Sequence, residues 1–296
     1  MSFITNTTTT LDNSQSNDSI IKLIQTDKPF LICRLSHIET LLSVYYDIHK
    51  TIHPQYKKIS STNAGIYSQN DKELELYSMF YMKSLNNMTK LACFPKLYTQ
   101  TQNYVIQKYN IPQENILHHS VLEPFYQLHD DINSIVWTHL LKNKKILIVN
   151  PFVDSFQKQI QSGFKFFGKD DPRTLWDKDQ KFVFYKSYNC IYNNHPHNSW
   201  FETYAAMCDD IKHLDFDIAL LGCGGYGLPL CNFIYDKLGK SAIYMGGSIQ
   251  LLFGVYGNRW KSHNIIGPLI QKGGWIRPSK EEQPTNFQKV EGGCYW

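Results

Sequence analysis

Four short, mainly apolar runs, each followed by turn residues and then a helical period, set the pattern of the chain. The first is Phe30–Leu35, ahead of a helix over Glu39–Lys50. The second is Lys145–Val149, stopped by Asn150-Pro151 and followed by a helical Asp154–Phe167. The third is Phe216–Leu221, which runs into a glycine-rich turn and a helix to about Lys237. The fourth is Ser241–Met245, followed by Gly246-Gly247 and a helix through Phe253. Strands alternating with helices predict right-handed crossovers and a mostly parallel sheet with helices on both faces, an α/β, Rossmann-like fold. Runs that are apolar at every position fit strands buried on both faces.

The intervening segments read less clearly. Residues 73–142 are predicted to be a largely helical insertion, with apolar positions 74, 76, 77, 80, 81 and 85 near one helical stripe. Residues 170–200 are aromatic and loop-rich and carry no assignable period. Residues 1–18, rich in Thr, Asn and Ser, read as a disordered polar arm with neither a basic start nor an apolar secretory core. Residues 19–296 then form a single domain, with no repeat and no long linker. The tail beyond Trp275 is polar but ends Cys294-Tyr295-Trp296, which predicts a docked C-terminus. Two uncharged stretches, Ile218–Tyr235 and Ser241–Asn258, are broken by glycines and polar residues. They fit buried strand–turn–helix units better than membrane spans.

Composition narrows the function classes. Of 296 residues, 42% are hydrophobic and 19% charged, enough apolar material for a packed core. A formal charge of +4 without a basic stripe gives no electrostatic case for nucleic acid. Seven cysteines without a CxxC pair disfavour a disulfide scaffold or zinc finger and fit a reducing, cytoplasmic setting. High Asn, Ile and Lys usage is compatible with an AT-rich genome such as that of a giant virus.

In an open α/β sheet, ligands bind beyond the carboxyl ends of the strands. Four segments should meet there: Arg34–Glu39, Asn150–Asp154, Gly222–Gly227 and Gly246–Gln250. Gly222-Cys223-Gly224-Gly225-Tyr226-Gly227 matches G-x-G-x-x-G between a strand and a helix, suited to close approach of a diphosphate. The next strand ends Tyr244-Met245-Gly246-Gly247, without the carboxylate that a nicotinamide cofactor's ribose would want; S-adenosylmethionine is disfavoured on similar grounds. The alternative is a tight turn without a ligand. In an extended segment His37 and Glu39 would point to one side, placed to hold a divalent cation or to accept a proton. Alternatively, Ser36 and Glu39 form a capping box. Asp154 reads either as a base at the cleft or as a helix N-terminal charge. Arg259 could pair with a phosphate and Trp260 stack on a base, or the two could be a surface ion pair and a core tryptophan. The histidine clusters at 118, 119, 195 and 197 include His195-Pro196-His197, a weak metal-site pattern.

The chain resembles bacterial and giant-virus proteins with a GT-D-type glycosyltransferase fold. The resemblance runs from about residue 28 to the end. It is carried by Arg34–Glu39, Ser61–Tyr67, Lys144–Phe152, Phe216–Leu230, Gly239–Gly254, Arg259-Trp260 and Tyr295-Trp296. It implies transfer of a sugar from a nucleotide-sugar donor to a glycan or other hydroxyl acceptor, in glycan biosynthesis. Family members carry an Asp-x-Glu motif that holds a divalent metal, manganese or magnesium, on the donor diphosphate. Here His37 occupies the Asp position and only Glu39 matches. On this reading Glu39 or Asp154 is the catalytic base, and His37 with Glu39 is the candidate metal pair. The donor-binding set is Arg34, Ser36, Gly222, Gly224, Gly225, Tyr226, Gly227, Gly246, Gly247, Gln250 and Arg259.

Overall fold

The structure of the protein, a computed structural model, describes residues 7–296. Seven strands form one sheet: β1 (Leu31–Arg34), β2 (Lys90–Cys93), β3 (Ile116–His118), β4 (Lys145–Asn150), β5 (Lys181–Lys186), β6 (Ile218–Leu221) and β7 (Ser241–Tyr244). Their order is β3-β2-β1-β7-β6-β4-β5, and every pairing is parallel. The helices are α1 (Asn13–Gln25), α2 (His37–His49), α3 (Pro54–Asn63), α4 (Asp71–Lys83), α5 (Thr99–Lys108), α6 (Phe125–Asp130), α7 (Val153–Gln161), α8 (Trp200–Ile211), α9 (Gly227–Leu238) and α10 (Ile266–Gln271). The fold is therefore α/β and Rossmann-like, with a parallel sheet flanked by helices.

Strand periodicity divides the core in two. Ile32, Ile146, Ile148, Leu220 and Ile243 face one side, with Ile20 of α1, Phe125 of α6 and Phe156 of α7. Leu31, Cys33, Leu147, Leu221 and Tyr244 face the other, with Leu42 of α2, Tyr77 of α4, Met207 of α8 and Ile234 of α9. Central strands buried on both faces need apolar side chains at every position, which is why they read as continuous runs. All seven cysteines are unpaired and buried.

Three expectations change. The stretch 73–142 is not all helical, because it holds β2 and β3, strands of four and three residues whose period is too short to register beside the flanking helices. The unassigned 170–200 supplies the edge strand β5, which is only half-buried along its middle. Of the polar arm, residues 1–6 lie outside the described residues, whereas 8–18 are ordered. Thr8 is buried and donates its N–H to Pro95 O at 2.8 Å. Asp12 caps α1 through a reciprocal box with Gln15, its carboxylate accepting the Gln15 N–H at 2.7 Å.

The uncharged stretches are β6 with α9, and β7 with a 3₁₀ helix over Gly246–Phe253. Among the described residues no helix is long and apolar enough to cross a membrane. The C-terminus docks as expected. Trp296 is buried, its indole N–H reaches Glu282 O at 3.3 Å, and its carbonyl accepts the Asn258 N–H at 3.1 Å.

One glycine fixes how α9 meets the sheet. A Cβ on Gly227 would lie 2.1 Å from the ring of Tyr244, which is itself fully enclosed. Gly227→Ala is expected to destabilise the fold by at least about 2 kcal/mol through overpacking. Thermal unfolding should show a melting temperature lower by roughly 4–8 °C; an unchanged transition would refute this packing role.

Candidate active site

At β4 and β6 two neighbouring strands send the chain opposite ways, β4 outward to β5 and β6 inward to β7. Such a divergence opens a crevice beyond the carboxyl ends of the strands. A cavity of about 360 Å³ lies there. All four segments expected to converge contribute to its wall, through Arg34 and Ser36 to Glu39, Asn150 to Phe152, Gly222 to Gly224 with Tyr226, and Gly246, Gly247 and Gln250.

The two glycine turns touch. A Cβ on Gly222 would fall 2.4 Å from Gly246 O, so neither turn tolerates a side chain at the contact. Asn150 ties β4 to the same point, donating its amide to Gly222 O at 2.6 Å while its oxygen accepts the Phe152 N–H at 2.9 Å. Gly246 has φ +70°, a left-handed conformation, and a Cβ there would lie 2.6 Å from the Arg34 guanidinium. Arg34 ends β1, half-buried, with its guanidinium 5.4 Å from the centre of the Phe94 ring. Among the described residues it has no hydrogen-bond or ion-pair partner. A cation held over a glycine turn without a direct hydrogen bond to a carboxylate is suited to an anion, although the charges of Glu39 and Glu123 also act on it.

Glu39 lies at the third position of α2 and is 6% exposed. Burial pushes its carboxyl above the usual carboxylate range. Its own backbone N–H, the Ser36 hydroxyl and the Arg34 charge pull the other way. Ser36 occupies the cap of α2, but its side chain makes no capping hydrogen bond, so the capping box does not form.

Several expectations are corrected. His37 and Glu39 are helical, not extended, and two helical positions differ by about 200°. His37 accordingly turns outward and stacks on Tyr98, with ring centres 4.2 Å apart, while Glu39 turns in. Both residues border the cavity, but α2 does not put them on one face as an extended segment would. Among the described residues no group of three or more His, Cys, Asp or Glu could hold an ion, and His195 and His197 are instead engaged with Tyr67 and Thr203. Asp154 is absent from the cavity wall; it sits half-exposed on α7, ion-paired with Lys186. Gly225 and Gly227 also lie outside the wall. Gly225 packs on Ile66 and donates its N–H to Ala64 O at 2.9 Å, and Gly227 serves the packing on Tyr244.

The remaining candidates line the cavity with mixed roles. Gly247 lies under the Tyr295 ring. Tyr226 is buried and stacks on Trp200, with ring centres 4.8 Å apart and planes within 3°. Gln250 is buried and donates to Tyr295 O at 3.2 Å, anchoring the C-terminal segment. Arg259 is paired with Glu291 at 2.5 Å and reaches the Tyr295 hydroxyl at 3.3 Å, while Trp260 belongs to the core. Sequence reasoning missed Tyr98, Tyr188 and Asn189 as parts of the wall. Asn150 opened the expected Asn150–Asp154 segment, standing at a strand end before proline. Asn63–Gly65 belong to the Ser61–Tyr67 block that carried the resemblance.

The chain matches no protein-family profile, no curated protein and no solved structure.

Proposed function

We propose that the chain is a nucleotide-sugar-dependent glycosyltransferase of GT-D type that moves a sugar to an acceptor hydroxyl in glycan biosynthesis. On this reading it works in the cytoplasm, that of the host if the chain is viral. The observation that carries the reading is Arg34, a guanidinium without a direct hydrogen bond or ion pair among the described residues, over the Gly246 turn at a strand-end crevice that also holds the buried carboxyl of Glu39. Arg34 and the free N–H groups opening the Gly246–Phe253 helix receive the donor diphosphate and stabilise the charge that grows as it leaves. Glu39, ionised, accepts the proton of the acceptor hydroxyl. The acceptor oxygen bonds to the anomeric carbon as the bond from that carbon to the diphosphate breaks. The protein's own groups account for each step, and none is routed through a metal.

A thermal-shift panel tests the donor class. UDP-, GDP-, TDP- and CMP-linked sugars are compared with NAD and S-adenosylmethionine. A nucleotide sugar at a hundred times its dissociation constant should add about 2.7 kcal/mol of stability. Stabilisation by NAD or S-adenosylmethionine alone would overturn the reading in favour of a nucleotide-cofactor enzyme. Binding of a nucleotide sugar without hydrolysis or transfer to any acceptor would leave a non-catalytic binding protein.

A further inference from the structure

A second, wider cavity of about 700 Å³ adjoins the first. The two share Pro151, Tyr188 and Asn189, so a ligand in one would meet a ligand in the other across these residues. Its lining combines half-buried tyrosines with amides. Several of its polar groups are left without partners inside the protein. Ser187 is 4% exposed, and its buried hydroxyl has no hydrogen-bond partner among the described residues. The side-chain amides of Asn189 and Asn194 have no hydrogen-bond partner among the described residues either. A buried hydroxyl without a partner costs free energy, and Ser187 brings one to the edge of this cavity.

Charge selects the ligand class. The cavity's cation, Lys186, is already held by Asp154. Asp210 is tied to the Tyr185 hydroxyl at 2.8 Å, and the Glu282 carboxylate accepts the Asp154 and Ser155 N–H groups at 2.9 and 3.1 Å. Among the described lining residues no free cation remains for a phosphate, in contrast to Arg34 next door. Amides and hydroxyls each donate and accept, as do the hydroxyls of a polyol, and a tyrosine face suits the apolar side of a sugar ring. The volume lies within the range of small-molecule sites.

We infer that this cavity is the acceptor subsite, and that it takes a neutral saccharide whose reacting hydroxyl points past Tyr188 and Asn189 toward the donor cavity. The inference rests on the proposed glycosyl transfer for the identity of its neighbour, but saccharide binding can be read without a donor. Saturation-transfer NMR with free di- and trisaccharides of glucose, galactose, N-acetylglucosamine and rhamnose should show contact between at least one of them and the protein. The double variant Ser187→Ala, Asn194→Ala should weaken that binding at least tenfold. Both residues lie outside the donor cavity wall, and loss of an unpartnered hydroxyl does not threaten the fold. Where transfer is measurable, the acceptor KM should rise while the thermal shift given by the nucleotide sugar stays. The inference is overturned if no saccharide of the set binds, or if the variant binds as tightly as the wild type. If a saccharide binds in the expected way while no nucleotide sugar stabilises the protein, the subsite stands and the proposed transfer falls. If a nucleotide sugar stabilises the protein without variant-sensitive saccharide binding, the subsite falls and the proposed transfer stands.

Discussion

Glu39→Gln is expected to fold and to lose transfer activity by roughly 10²–10⁴-fold, the usual contribution of a positioned general base. Folding should survive because the capping box that would make this side chain structural is not formed. The pH dependence follows from burial. The carboxyl of Glu39 is raised above its ordinary value, so its basic form is populated only at pH values above the usual carboxylate range. The acid limb of kcat/KM should be displaced upward accordingly. Stability moves the opposite way. Between the unfolded value of about 4.3 and the raised folded value, the folded state binds more protons, so stability falls as pH rises through that window. The Gln variant should show a shallower slope in denaturant titrations; Glu123, pushed up to about 7 by burial, keeps its own share. Full turnover in the variant would remove Glu39 from the mechanism.

Arg34→Leu is expected to weaken nucleotide-sugar binding by on the order of a hundredfold, since each hydrogen bond to a charged group contributes about 1.5–3 kcal/mol. The variant should also raise the carboxyls of Glu39 and Glu123 further, because the Arg34 charge favours the ionised form of both. Arg34→Lys should recover part of the affinity, as a point charge without the planar fork. Calorimetric titration of the three proteins checks this, and equal affinities would show that Arg34 does no more than cover Gly246.

What the sequence revealed depended on how far a residue's neighbours explain it. Strands β1, β4, β6 and β7 were legible because central parallel strands require uninterrupted apolar runs. Strands β2 and β3 were not, since Lys90–Cys93 and Ile116–His118 are too short to declare a period beside helical neighbours. Capping chemistry was present at Asp12 and Gln15, but polar composition masked it. The strand-end rule brought Arg34, Glu39, Gly222 and Gly246 to one crevice. It could not tell which glycines face a ligand: Gly225 and Gly227 are small because Ile66 and Tyr244 occupy the space. His37 and Glu39 were misjudged because α2 begins two residues earlier than its apolar period suggests. Tyr98, Tyr188 and Asn189 arrive from remote loops and carry no local signature.

The enclosure of every thiol has a practical corollary. Burial pushes the Cys190 thiol up to about 11, so little nucleophilic thiolate forms near neutrality. Alkylation by iodoacetamide therefore reports transient opening of the native protein rather than its surface. Cys190 and Cys223 stand in the wall of the strand-end cavity. Their labelling rates offer an occupancy gauge that needs neither a known acceptor nor a working reaction.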